Sequence, residues 1–190
     1  MARDLREIYI IDLEATCYTD AEKEANPNLV SEIIEIGISV VDLKLLIIKS
    51  TESILVKPTK SQISKFCTEL TTITPEMVVN SPTFPEAIKQ LKKIKIQNKT
   101  WGSWGDYDRE QFKRNNELYS QNSNYLGRTH LNIKNWFSLM NGYSKEFGMD
   151  EALKILGLPL EGTHHRAGSD SQNIAQIFIN TVKKFRNDSS

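Results

Sequence analysis

Apolar positions divide the chain into a strand-rich first third and a helix-rich remainder. Residues 7–14 form a mostly apolar run that predicts a buried central strand. Residues 32–41 and 45–56 are rich in β-branched side chains and predict two further strands. Only residues 42–44 separate these two strands, so we expect them to form an antiparallel hairpin.

Beyond residue 56 the apolar residues recur at helical spacing. Thr83, for example, is a candidate N-cap, and a stripe of apolar side chains follows it up to Ile96. The other predicted elements are a loop at 20–31, helices at 64–70, 108–118, 135–147, 150–156 and 169–185, a helix that begins at Thr74, and a short strand at 99–104.

This succession of elements predicts one domain, 1–190, of the α/β class. We expect a mixed β-sheet flanked by helices, with an antiparallel three-strand start and parallel strands after it. Residues 1–6 and 186–190 are expected to be flexible ends.

Composition and charge limit the kind of binding surface and the cellular location that we expect for the protein. Basic and acidic residues balance at 24 each, which argues against an extended nucleic-acid-binding surface but not against a small acidic pocket that holds cations. The sequence has neither an apolar run of ~20 residues nor a signal-peptide pattern. We therefore expect a cytoplasmic protein without a membrane segment, whose Cys17 and Cys67 are free thiols.

Carboxylates and a histidine are the candidate chemistry. Asp12 and Glu14 end the first strand, and at positions i and i+2 their side chains point off the same face. Asp108 opens a predicted helix, and His165 stands five residues before Asp170. Clustered carboxylates bind hard divalent cations, and a histidine can take a proton from water. These residues predict a metal-dependent hydrolase that acts on phosphodiesters.

The order and spacing of these residues resemble the DEDDh branch of the 3′→5′ exonucleases, which have a ribonuclease H-like fold. The chain is most similar to the enhanced-RNAi and histone-mRNA 3′ exonuclease group and its bacterial relatives, which include an exonuclease-like inhibitor of a sporulation kinase pathway. The segments that carry the resemblance are D-L-E-A-T-C at 12–17, E-I-I-E-I-G at 32–37, F-C-T-E-L-T-T-I-T at 66–74 and S-W-G-D-Y-D at 103–108.

Two positions of the motif have a neighbouring alternative. Asp106 could replace Asp108, but in the family an apolar residue follows the aspartate after four positions, and Phe112 provides it for Asp108. His164 could replace His165, but the family spacing H-x-x-x-x-D selects His165.

The resemblance implies a two-metal mechanism with two divalent cations, Mg²⁺ or Mn²⁺. Asp12 would bridge both cations, and Glu14 and Asp170 would complete the site that holds the attacking water. Asp108 would hold the second cation, partly through water. His165 would be the general base, because a pKa of roughly 6.5 suits proton removal near neutral pH.

The resemblance also implies a pocket for the terminal nucleotide of the substrate. Residues at its matching positions are Leu13, Ala15, Thr16, Phe66, Leu70 and Trp104. For Phe66, Leu70 and Trp104, packing in the core is the alternative role. Arg109 and Lys113 are candidates to contact phosphates upstream of the cleaved bond.

The expected function is 3′→5′ exonuclease activity on single-stranded RNA or short oligonucleotides, with nucleoside 5′-monophosphates as products. A DNA-directed exonuclease with the same site is one alternative. A catalytically weak nucleic-acid-binding or regulatory protein on the same fold is the other. The expected partners are thus single-stranded RNA or DNA 3′ ends.

Overall fold

The computed structural model describes residues 5–121 and 125–187, which contain a five-stranded mixed sheet in the order β3-β2-β1-β4-β5. The strands are β1 Glu7–Ala15, β2 Ile33–Asp42, β3 Ile47–Leu55, β4 Trp101–Ser103 and β5 His130–Asn132. β1, β2 and β3 pair antiparallel, whereas β4 pairs parallel with β1 and β5 pairs parallel with β4. The predicted antiparallel start followed by parallel strands is confirmed.

Eight α-helices surround the sheet in the described part of the chain. They are α1 Asp20–Ala25, α2 Lys65–Thr71, α3 Pro75–Val78, α4 Phe84–Lys93, α5 Tyr107–Leu118, α6 Ile133–Met140, α7 Met149–Leu156 and α8 Ala167–Asn187. A 3₁₀ turn at Ile96–Asn98 precedes β4. None of these helices is long and apolar enough to cross a membrane.

The alternation of side chains along β1 determines which helix each residue meets. Tyr9, Ile11 and Leu13 point to a core that α4 and α5 cover. Ile8 and Ile10 point to the opposite core, which α6, α7 and α8 cover. Even-numbered residues of β1 therefore face α8, and Asp12 and Glu14 continue this row.

Two sequence-based predictions of local structure are wrong, and one strand was missed. The predicted loop at 20–31 contains α1, because Thr19 and Glu22 form a capping box around its first turn. β5 was not predicted, since three residues carry little pattern. The helix predicted at 135–147 runs instead from Ile133 to Met140 as α6 and ends before Gly142, whose φ is 72°.

The predicted flexible ends fall partly outside the described residues, namely at 1–4 and 188–190. Within the described part, α8 continues through Arg186, whose Nη1 donates a hydrogen bond of 2.8 Å to the carbonyl oxygen of Leu43. The helix is thus two residues longer at its C-terminal end than the pattern indicates.

Candidate active site

Asp12 and Glu14 lie at the C-terminal end of β1, on the face that α8 covers. In the β1–β2 register Asp12 pairs with Gly37 and Glu14 pairs with Glu35, and the pairing shifts immediately after Glu14. Glu14 is buried and Asp12 is partly exposed. Two carboxylates thus stand side by side where the strand leaves the sheet.

The first turn of α8 brings Asp170 to these two carboxylates. Gly37 permits this approach, because a Cβ atom at this position would lie 1.8 Å from the carbonyl oxygen of Ala167. One carboxylate oxygen from each of Asp12, Glu14 and Asp170 lies within 4.8 Å of the other two. A single cation could contact all three.

Asp108 approaches from the other direction, on the first turn of α5. β4 runs parallel to β1 and ends at the same edge of the sheet, so the helix that follows it starts beside Asp12. Asp108 is buried, and its Oδ1 accepts a hydrogen bond of 3.0 Å from the backbone N–H of Leu13. Asp106, the alternative position, instead forms an ion pair of 2.9 Å with Arg109.

A cavity of about 380 Å³ contains these four carboxylates. Four of the residues predicted to bind the nucleotide line it, namely Leu13, Ala15, Leu70 and Trp104. Its remaining lining residues include Cys17, Tyr107, Gly148, Met149, Asp150, His164 and His165. Most of the predicted catalytic and nucleotide-binding residues thus share one cavity.

Four predicted residues do not line this cavity. Thr16 is buried, and its hydroxyl accepts a hydrogen bond of 2.9 Å from the N–H of Glu32. Phe66 is 39% exposed and lies one helical turn before Leu70 on α2. Arg109 and Lys113 line a second cavity of about 410 Å³, which Trp101, Arg128 and His130 also line.

His165 follows a turn that directs its backbone N–H at Asp170. Its φ is 60°, a left-handed conformation, and its N–H donates a hydrogen bond of 2.9 Å to Oδ2 of Asp170. Burial and the neighbouring His164 lower the pKa of the His165 imidazole. The ring is thus held in its neutral form, which is the form that can accept a proton.

Burial and mutual repulsion raise the pKa values of all four carboxyls. The pKa of Asp12 rises well above its ordinary value because of burial and then of repulsion by Asp108. Burial followed by the charge of Asp170 raises the pKa of Glu14 to about 8. Burial raises the pKa of Asp108 to about 7 and that of Asp170 to about 6, although a backbone N–H donated to each carboxylate opposes the shift.

This group of side chains fits divalent cations. Oδ1 of Asp170 is buried and has no hydrogen-bond partner among the described residues. Asp12, Glu14, Asp108 and Asp170 all offer carboxylate oxygens, which are the ligands that Mg²⁺ and Mn²⁺ prefer. A bound cation would also attract the four carboxylates and so lower the pKa values that their mutual repulsion raises.

Glu35 and Arg166 support the site, although the sequence motifs predict no role for either. Arg166 donates two hydrogen bonds of 3.0 Å to the carboxylate of Glu35, and the N–H of Ala167 donates a third of 2.9 Å. These bonds tie the segment before α8 to β2. A glutamate at a core-facing position of an apolar strand was the signal that could have revealed this interaction.

The mixed sheet, the carboxylates from β1, α5 and α8, and the adjacent histidine define a class of protein. They are the elements of a DEDDh nuclease on a ribonuclease H-like fold, which is the class that the sequence motifs resemble.

Comparisons with known proteins agree with this class. A family model described as Exonuclease (RNase_T) matches residues 9–178, so the chain belongs to this exonuclease family. Human 3′-5′ exoribonuclease 1 is 29% identical over 194 residues, which span 93% of this chain and 52% of the human protein. The chain thus spans about half the length of this curated relative.

Two solved structures share the fold. The nuclease domain of 3′hExo, described as a DEDDh family member bound to rAMP, superposes with a TM-score of 0.84 and 26% identity over 95% of this chain and 93% of that one. A 3′-exonuclease that recognises the histone mRNA stem-loop superposes with a TM-score of 0.81 and 26% identity over 95% of this chain and 64% of that one. The predicted family and fold class are confirmed.

Proposed function

We propose that the protein is a metal-dependent 3′→5′ exonuclease that releases nucleoside 5′-monophosphates from single-stranded RNA or short oligonucleotides. The observation that carries this proposal is the meeting of Asp12, Glu14, Asp108 and Asp170 with His165 in one cavity. The human relative named above is an exoribonuclease, and one of the solved structures contains rAMP, which favours RNA as substrate.

Four carboxylates would hold two divalent cations, Mg²⁺ or Mn²⁺: Asp12, Glu14, Asp108 and Asp170. Members of the DEDDh family use divalent metal ions. When bound, the cations supply positive charge to the phosphate and lower the pKa of a bound water. Asp12 faces the other three carboxylates and is thus the candidate to contact both cations.

His165 would act as the general base. A ring nitrogen of its neutral imidazole would take a proton from the water that attacks the phosphodiester between the last two nucleotides. The bond from phosphorus to the 3′ oxygen of the penultimate nucleotide would break, and that oxygen would take a proton from solvent. The released fragment carries the phosphate on its 5′ oxygen, and the shortened strand retains a 3′-hydroxyl. Asp170 holds His165 in place through the hydrogen bond to its backbone N–H.

The shape of the cavity supports an exonuclease rather than an endonuclease. A volume of about 380 Å³ lies in the range of small-ligand pockets, so it suits one terminal nucleotide. Leu13 and Ala15 follow the first carboxylate, line the cavity and would contact the terminal sugar, whereas Thr16 is buried outside the cavity. Leu70 and Trp104 would pack against the base, and base stacking on an aromatic ring contributes ~1–3 kcal/mol.

Two further assignments belong to this proposal. Phe66 projects from the same face of α2 as Leu70 and would extend the base-contacting surface towards solvent. Arg109 and Lys113 lie one turn apart on α5, just after Asp108, and would contact phosphates upstream of the cleaved bond.

The direct test uses a 5′-labelled single-stranded RNA 12-mer and a DNA 12-mer of the same sequence, with Mg²⁺ or Mn²⁺. We expect a ladder that shortens from the 3′ end, faster for RNA, and absent in Asp12→Asn. Asp20→Asn is the matched control, because the Asp20 side chain is 95% exposed on α1, and it should leave the ladder unchanged. His165→Gln should slow hydrolysis by about 10²–10⁴-fold.

The other outcomes of this assay distinguish the two alternative functions. Faster loss of the DNA strand would establish a DNA-directed exonuclease on the same site. No shortening of either strand in either metal would refute the catalytic proposal and leave the binding or regulatory function as the explanation of the fold.

A further inference from the structure

We propose that His164, His165 and Asp170 form a second metal site, which takes a borderline transition ion such as Zn²⁺ and which uses the Asp170 carboxylate and the His165 ring that the proposed reaction needs. Zn²⁺ would thus switch the enzyme off. The inhibitory consequence rests on the proposed nuclease function, whereas the existence of the site does not.

The three side chains already stand close enough to share one ion. One ring nitrogen from each histidine and one carboxylate oxygen of Asp170 lie within 4.8 Å of one another. Nε2 of His164 is 3.8 Å from Oδ2 of Asp170. The two imidazole rings are stacked, with centroids 4.1 Å apart and planes 7° apart. To bind one cation, the two rings would tilt out of this parallel stack so that their nitrogen lone pairs converge.

The Asp170 carboxylate has an oxygen that is available to bind a cation. Oδ2 of Asp170 accepts the N–H of His165, but Oδ1 is buried and has no hydrogen-bond partner among the described residues. A buried carboxylate oxygen without a partner is unfavourable, and a cation removes that penalty. His164 is 37% exposed, so an ion can enter from solvent.

The ligand types select against Mg²⁺. Two imidazole nitrogens and one carboxylate, with a fourth position left for water, make up a common three-ligand Zn²⁺ site. Sites with nitrogen ligands bind Zn²⁺ more tightly than Mn²⁺, whereas Mg²⁺ requires oxygen. The neighbouring group of Asp12, Glu14 and Asp170 has only oxygen ligands.

The two groups share Asp170, so a cation in one group competes with a cation in the other for this carboxylate. An ion on the histidines also occupies the ring nitrogen with which His165 would take the proton from water. Both effects block the proposed reaction.

The site is tested without turnover by measuring Zn²⁺ affinity of the full chain, by competition with a chromogenic chelator in metal-free buffer. We expect one Zn²⁺ per chain, and an affinity at least ~10-fold lower in His164→Asn, since loss of even an outer-shell partner costs 10–100-fold. The matched control is His130→Asn. In the wild type the His130 ring contacts Ser103 and Trp101 and does not line the cavity of the four carboxylates, so this variant should bind Zn²⁺ with the affinity of the wild type.

Competition between Zn²⁺ and Mg²⁺ tests whether the two metal sites share Asp170. Added Mg²⁺ should lower the apparent Zn²⁺ affinity of the wild type, but not that of Asp12→Asn, which keeps both histidines. In the RNA assay, with each variant compared with its own Mg²⁺-supported rate, His164→Asn should need at least ~10-fold more Zn²⁺ for half-inhibition.

Two results would overturn the proposal: equal Zn²⁺ affinity in the wild type and His164→Asn, or Zn²⁺ affinity that is independent of Mg²⁺ in the wild type. A chain that binds Zn²⁺ through His164 but hydrolyses no oligonucleotide would support the metal site and refute the nuclease function, so the two failures are distinguishable.

Discussion

Replacing Asp12 by asparagine should make the metal-free protein more stable while it destroys activity. The Asp12 carboxyl is surrounded by the carboxyls of Asp108, Glu14 and Asp170, and burial together with their charges raises its pKa well above the ordinary value. Asparagine has the same shape without the charge. Without a bound cation, the substitution removes repulsion and adds a donor towards the remaining carboxylates.

The sign of the effect follows from the raised pKa. A carboxyl whose pKa is higher in the folded than in the unfolded state loses stability as pH rises through this interval. At pH 8 the wild type therefore bears more of this repulsion than at pH 5.5, where the cluster is largely protonated. One pKa unit corresponds to about 1.4 kcal/mol, and two charges about 4 Å apart repel by roughly 4 kcal/mol at an effective dielectric constant of 20.

These magnitudes predict a gain of about 2–4 kcal/mol for Asp12→Asn at pH 8, because the neighbouring carboxyls are themselves partly protonated there. For a chain of this size, 1 kcal/mol shifts Tm by roughly 2–4 °C, so we expect an increase of about 5–15 °C. At pH 5.5 the gain should fall below about 1 kcal/mol.

Thermal unfolding followed by circular dichroism in EDTA measures both values. Mn²⁺ should then raise the Tm of the wild type and have a smaller effect on Asp12→Asn, since a ligand stabilises only the state that binds it. Asp20→Asn is the control and should stay within ±0.5 kcal/mol at both pH values. A variant less stable than the wild type at pH 8, or an equal gain at both pH values, would contradict the electrostatic reasoning.

Three further substitutions test the supports of the site. Arg166→Ala leaves the buried Glu35 carboxylate without its ion-pair partner, so denaturant unfolding should show a loss of about 3 kcal/mol. Gly37→Ala forces the start of α8 away from β2 at Ala167, so stability should fall by about 1–3 kcal/mol or more and the protein should lose Mn²⁺ affinity by calorimetry. Ser64→Ala removes the N-cap of α2 and should lower the free energy of unfolding by about 1 kcal/mol, with nuclease activity retained.

The sequence predicted those parts of the fold that a local pattern determines. The β-branched runs of β2 and β3 and their short connection determined the hairpin. Short helices were predicted at 64–70 and from Thr74, and the structure has a helix at each place. Two short elements, β5 and α1, were missed, because they depend on a neighbouring strand and on a capping box rather than on a run of apolar residues.

The candidate site, like the fold, could be predicted from the sequence only in part. Asp12 and Glu14 could be paired from the sequence, since alternation along one strand brings them to one face. Their meeting with Asp108 and Asp170 depends on contacts across the whole chain, and only the family spacing predicted it. The nearness of His164 to Asp170 could not be predicted, because it depends on the left-handed turn at His165.

The supports of the site explain how its carboxylates are held close together despite their repulsion. Backbone N–H groups hold two of the four: Asp108 accepts a hydrogen bond from Leu13, and Asp170 accepts one from His165. The bonds of Arg166 and Ala167 to Glu35 anchor the start of α8 to β2. Because the fold holds these charges together, the cations of the proposed mechanism would remove the mutual repulsion on binding. This relief would add to the affinity of the site for the cations.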